Sequence, residues 1–196
     1  MRLLLLARHG QSLFNVDGTV NGDPARDRGL SSLGEQEAAR LAGQLAGHAI
    51  DVCVVSEFPR AQQTASIALT GREVPQAVDP ELNDIRIGEL EGKTLDQYHH
   101  WKQGRTRAEP FPAGESLNDA ARRYAGAYER ILRRQDPTIL VVCHEIPVRY
   151  AINAAAGSDN LDGPQHDVAN ATPYVFDEAG LRRAIDRIRE LADSGV

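Results

Sequence analysis

Leu3–Ala7, Val52–Val55 and Ile139–Cys143 are short runs without a single polar side chain. A strand with one wet face alternates apolar and polar residues, so uninterrupted runs of this length fit strands covered on both faces. Such strands occur where helices flank a mostly parallel sheet, and helical patterns separate these runs. The expectation is a three-layer α/β/α sandwich with a mostly parallel central sheet. With no internal repeat and no low-complexity tract, residues 1–196 should form a single domain.

Ser32-Leu33-Gly34-Glu35 has the form of a capping box ahead of an apolar stripe at Ala38, Leu41, Ala42 and Leu45. Pro59 suits a first helical position, with Ala61, Ala65, Ala68 and Leu69 on one face behind it. Ser116-Leu117-Asn118-Asp119 is a second capping box; its stripe is Leu117, Ala121, Tyr124, Tyr128, Ile131 and Leu132. A further helix is expected after Pro147, carrying Tyr150, Ala151 and Ala154. Gly104–Gly114, with two prolines and two arginines, reads as a surface loop or lid. From Tyr174 onward the pattern predicts a strand, a turn at Asp177–Gly180 and a short helix through Leu191.

A net charge of −6 argues against nucleic-acid or anionic-membrane partners, although a local arginine cluster can still bind a small anion. The apolar stretch after Arg2 is too short for a signal peptide or a membrane span, which points to the cytoplasm. Cys53 and Cys143 sit inside apolar runs, the place of reduced, buried cysteines. An exposed edge strand would permit a homodimer without requiring one.

Each apolar run ends in polar residues: Arg8-His9 after the first, Ser56 and then Arg60 after the second, His144 after the third. Sites in open parallel sheets form beyond the carboxyl ends of the strands, so these residues should converge. Two arginines, two histidines and a helix start describe a pocket for a phosphate-like anion. Ser56 lacks the G-x-S-x-G context of a nucleophilic serine, and His99-His100 has no accompanying metal-ligand set. Glu115 and Ser116 read as a helix start, with Glu115 able to edge the opening.

"LARHGQSLFN" resembles the R-H-G-[EQ]-[ST]-x-x-N signature of the histidine phosphatase (phosphoglycerate mutase-like) superfamily. "GLSSLGEQEA", "VVSEFPRAQQTA", "LNDIRIGELEG", "PAGES" and "VVCHEIPVR" resemble further motifs of that family in the same order, over about residues 3 to 176. The resemblance implies a phosphomonoester hydrolase acting through a phosphohistidine on a small phosphorylated substrate, with no cofactor and no metal. His9 would be the nucleophile, with Gly10 letting the backbone approach the imidazole closely. A carbonyl on Nδ1–H would leave Nε2 free. Arg8 and Arg60 would bind phosphoryl oxygens, Asn15 would donate another hydrogen bond, and a protonated His144 would complete the cage.

Three departures stand out. The family's usual glutamate is Asp84 here, still the expected general acid, with Glu81, Glu89 and Glu91 as nearby rivals. Glu145 follows the second histidine where glycine is common, and either pairs with Arg149 or reads part of the substrate. "NGDPARDRG" is expected to bring Arg26 and Arg28 to the pocket rim, with Asn21 and Gly22 as candidate substrate contacts. Arg86, Arg105 and Arg107 are further candidates for a second anionic group. The short segment between Gly92 and "PAGES" favours a hydrolase over a mutase, because an open lid admits water. The alternatives are a mutase-type phosphotransferase, a non-catalytic phospho-ligand-binding protein and a metal-dependent hydrolase.

Overall fold

In the computed structural model, which describes residues 1–194, the three apolar runs become the adjacent central strands of one sheet. In chain order the strands are β1 (Leu3–Arg8), β2 (Val52–Val55), β3 (Gln76–Val78), β4 (Thr138–Cys143) and β5 (Pro173–Asp177). Their spatial order is β3-β2-β4-β1-β5. All neighbours run parallel except β1 and β5, which pair antiparallel from Leu3 opposite Asp177 to Ala7 opposite Pro173.

Residue alternation explains why the runs had to be apolar throughout. Leu4, Leu6, Val52, Val54, Ile139 and Val141 point into one core, and Leu5, Ala7, Cys53, Val55, Leu140 and Val142 into the other. Helices α2 (Ser32–Gln44) and α3 (Pro59–Ala68) cover the second core. Helices α5 (Leu117–Leu132), α6 (Glu145–Ala155) and α7 (Glu178–Asp193) cover the first. The short α1 (Leu13–Asp17) and α4 (Leu95–Lys102) lie over the carboxyl ends of the strands. Cys53 and Cys143 are free and buried on opposite faces of the sheet; burial pushes the Cys53 thiol up to about 12. Among the described residues no helix is long and apolar enough to cross a membrane.

Three local expectations need correction. The N-cap of α2 is Ser31, not Ser32: its Oγ accepts from the Gly34 amide at 3.1 Å and donates to Gln11 Oε1 at 2.7 Å. That second bond is a tertiary contact, which the local pattern does not contain. Helix α6 starts at Glu145, ahead of Pro147, because first-turn N–H groups have no intrahelical partner and a proline there loses nothing. The Asp177–Gly180 signal is a cap and not a turn: Asp177 Oδ1 accepts from the Gly180 amide at 2.6 Å, so β5 runs straight into the long α7. The Gly10 backbone comes close to the His9 imidazole as expected, and Gly10 is also packed against a second neighbour. A Cβ there would lie 2.4 Å from the Gly34 carbonyl oxygen, so the loop after β1 is pressed against the first turn of α2.

Candidate active site

Strands β1, β2 and β4 end side by side and place Arg8-His9, Ser56 and His144 around one crevice, while Arg60 enters from the first turn of α3. His9, Arg60 and His144 are all buried. The His9 ring is oriented from both sides. Its Nδ1 donates to the Gly10 carbonyl at 2.7 Å, and its Nε2 accepts from Arg60 Nε at 3.0 Å. A nitrogen that accepts from a guanidinium carries no proton, so His9 is the neutral Nδ1–H tautomer. Burial, then Arg60, then Arg8 hold its pKa well below the usual 6.5.

Arg60 is fixed by more partners than any other side chain of the site. Asp27 accepts from its backbone N–H at 2.8 Å and from Nη1 at 3.2 Å; Asn21 Oδ1 accepts from Nη1 at 2.5 Å. Its Nη2 lies 3.3 Å from both Asp84 Oδ2 and His144 Nδ1. Because His144 Nδ1 faces that donor, Nε2 carries the proton and donates to Ser56 Oγ at 2.8 Å. Ser56 thus orients His144. Against the expectation of a protonated His144, burial and the Arg60 charge hold its pKa well below 6.5.

Asp84 shows the opposite shift. Desolvation raises its pKa above the ordinary 3.8, and this outweighs the lowering by Arg60. Of the four acidic candidates, Asp84 alone lines the cavity. Glu91 instead accepts from Asn21 Nδ2 and from the Gly22 amide, each at 2.7 Å, and Glu81 faces a neighbouring cleft.

The crevice opens into a cavity of about 410 Å³, far larger than a phosphate ion needs. Asn15 lines it, its Oδ1 accepting from the Ser12 amide at 3.0 Å while its side-chain nitrogen has no protein partner among the described residues. Asn21 lines it too, with its oxygen on Arg60. Gly22 does not: its N–H belongs to Glu91, and a Cβ would meet the Ile85 carbonyl oxygen at 2.2 Å. Glu145 lines the cavity, and its expected pairing with Arg149 is present. Its Oε1 lies 2.8 Å from Arg149 Nη1 and its Oε2 2.9 Å from Arg8 Nη1.

None of Arg26, Arg28, Arg86, Arg105 and Arg107 lines this cavity. Arg28 pairs with Asp17, Arg86 with Glu115, Arg105 with Glu109 and Arg107 with Asp162, and Arg26 faces the neighbouring cleft. The outer cations are Lys102 and Arg149, which sequence reasoning did not assign to the site. Asp27, fully buried against Arg60, was missed as well. A signal for α4 was present: Leu95, Tyr98, His99 and Lys102 follow the i, i+3, i+4, i+7 spacing, and all four line the cavity.

A neutral histidine in line with an arginine-rich anion cage, at the carboxyl edge of a parallel sheet, defines a phosphoryl-transfer class of α/β protein. The chain belongs to the histidine phosphatase superfamily (branch 1), whose profile matches residues 4–190. This is an enzyme superfamily of phosphatases and mutases. One relative, the 2,3-bisphosphoglycerate-dependent phosphoglycerate mutase of Methylobacterium sp. (strain 4-46), is 32% identical over 192 residues, 89% of this chain and 90% of that protein. Among solved structures, the α-ribazole phosphatase of Shigella flexneri matches with a TM-score of 0.77 at 26% identity, covering 89% of this chain and 90% of that one. YhfR of Bacillus stearothermophilus matches at 0.78 and 27% identity, over 88% and 89%. Mutase and phosphatase names both occur among these relatives, so the likeness establishes the superfamily and not the choice between the two activities.

Proposed function

We propose that the protein is a metal-independent phosphomonoesterase that works through a phosphohistidine at His9. The observation that carries this reading is the uncharged His9 tautomer, Nε2 facing Arg60, beside a carboxyl group whose pKa is raised. Nε2 attacks phosphorus and the P–O bond to the leaving group breaks. Asp84, protonated, gives its proton to the departing alkoxide. Arg8 and Arg60 hold the phosphoryl oxygens, and His144 Nδ1, on the same side as Arg60, joins them once the phosphate charge offsets the guanidinium. Asn15 donates from its free amide nitrogen. Water then attacks the phosphohistidine, Asp84 takes the water proton, and the P–N bond breaks to release phosphate and regenerate His9.

Two features favour water over a second substrate hydroxyl as the final acceptor. Leu95 and His99 on α4 are exposed at the cavity wall, so the phosphoenzyme is open to solvent. Val20, Ile85, Ile87 and Ile146 also line the cavity, a surface suited to a larger organic body than that of a phosphoglycerate. The mutase reading rests on the names of the relatives that are over 30% identical. Incubation with 3-phosphoglycerate and with an aryl phosphate, each with and without 2,3-bisphosphoglycerate, tests the choice. Primer-independent release of inorganic phosphate is expected; primer-dependent formation of 2-phosphoglycerate without phosphate release would establish the mutase, and no turnover of either would leave a binding protein.

Glu145 is expected to weaken the grip on small anions, because its carboxylate pairs with Arg8 and must yield to phosphate. Arg149 holds its other oxygen and can retain it after release. Glu145→Gln should therefore lower the inhibition constant for inorganic phosphate by about two- to fivefold, the scale of one partly exposed ion pair. An unchanged or higher constant would reject this competition.

A further inference from the structure

The cavity carries more positive charge than its own carboxylates match, and the excess is at one place. Its three arginines are all paired: Arg60 with Asp27 and Asp84, Arg8 with Glu145, Arg149 with Glu145 and Asp162. Lys102, in the last turn of α4, is the exception. It lines the cavity, is partly buried, and has no carboxylate within ion-pair distance among the described residues. Its charged neighbours are Asp162, Arg149 and Arg107, none of which belongs to the phosphate cage. Asp162, the one carboxylate among them, is already held by Arg107 and Arg149.

The face that carries Lys102 is organised for contact. Leu95, Tyr98, His99 and Lys102 form one stripe of α4 toward the cavity, and His166 lines the same cavity from the loop after α6. Tyr98 stacks on Phe111 with ring centroids 5.6 Å apart, and Trp101 stacks on the same Phe111 ring at 4.5 Å, so the stripe rests on an aromatic base. A Thr94–Gln97 capping box closes the front of the helix, and the Leu95 amide donates to the Gly18 carbonyl at 3.0 Å. A partly buried ammonium held this way, without a counter-ion, costs free energy that a bound anion would recover.

We infer that the α4 end of the cavity, centred on Lys102 with His99 and His166 beside it, is a second anion subsite, and that the substrate is an organic phosphomonoester bearing a further anionic group. The inference rests on the phosphomonoesterase reading and deepens it. The scissile phosphate sits in the cage at His9. The organic body lies along Val20, Ile85, Ile87 and Ile146, and a carboxylate or second phosphate reaches Lys102. An ammonium is a point charge that accepts either group, so the subsite selects charge before shape.

The test compares phenyl phosphate with 4-carboxyphenyl, 4-(2-carboxyethyl)phenyl and 1,4-phenylene bisphosphate esters, in wild type, Lys102→Met and Lys102→Arg. Wild type should favour at least one doubly anionic ester over phenyl phosphate by about tenfold or more in kcat/KM at low salt, a preference that shrinks as salt rises. Lys102→Met should collapse that ratio toward one, and Lys102→Arg should restore most of it. Whether the carboxylates or the bisphosphate show the preference identifies the second group. Trp101, the only tryptophan of the chain and the neighbour of Lys102, supplies a binding signal in the His9→Ala protein. Suppose no ester is hydrolysed by wild type, yet a doubly anionic ester perturbs Trp101 emission in His9→Ala and not once Lys102→Met is added to it. The subsite then stands and the hydrolase reading falls. A wild type without the preference, or a Lys102→Met protein that keeps it, overturns the subsite.

Discussion

His9→Ala is expected to lower kcat/KM for any phosphomonoester by roughly 10⁴-fold or more, the scale seen when a covalent nucleophile is removed. No neighbouring side chain can replace it. His144 is fully buried and its ring is held through Nε2 by Ser56. The fold should persist, because among the described residues the His9 side chain bonds only to the adjacent Gly10 carbonyl and to Arg60, whose guanidinium keeps Asp27 and Asn21. Circular dichroism checks that point. Rapid quenching of wild type with ³²P-labelled substrate, at alkaline pH because phosphohistidine is acid-labile, should trap label on His9, and the variant should trap none. Labelled protein in the variant, or residual activity within a hundredfold of wild type, would remove His9 from the nucleophile role.

Asp84→Asn should cost about 10²- to 10⁴-fold, and the loss should depend on the leaving group. An alkoxide needs a proton as the P–O bond breaks, whereas 4-nitrophenolate departs without one. The variant should therefore lose far more activity toward alkyl phosphates than toward 4-nitrophenyl phosphate. The pH profile gives an independent reading. His9 must be uncharged, and since its pKa is depressed below 6.5, activity falls only when pH drops through that lower value. Asp84 must be protonated for its acid role, and since its pKa is raised above 3.8, activity toward alkyl esters declines as pH rises through that higher value. The alkaline limb should vanish in Asp84→Asn. If both classes of ester lose equally and the limb remains, the proton comes from elsewhere.

The central strands were legible because burial on both faces leaves no alternation to misread, and their polar endings marked the crevice. Capping boxes with a local partner, such as Ser116 and Asp119, were equally plain. Errors arose where a distant contact decided the outcome. Ser31 outcompetes Ser32 because Gln11 is there to accept from it. Gly22 is drawn from the cavity by Glu91, far along the chain, and Asp27 becomes a support of Arg60 only when α3 is packed beside it. The arginines offered for a second anion were read from composition, and each was satisfied by a carboxylate or directed to another cleft, Arg107 by Asp162 at the cavity wall.

From the chain alone follow the layered α/β architecture, the identity of the strand-end arginines and histidines, and the family, because these depend on local hydrophobic pattern and on residues adjacent in sequence. The tertiary structure decided the protonation of His9 and His144, the pairing of Glu145 with Arg8, and the emergence of Lys102 as an unmatched charge. Those properties are set by burial and by the sum of charges from segments far apart in the chain, and a one-dimensional pattern contains neither distance nor dielectric.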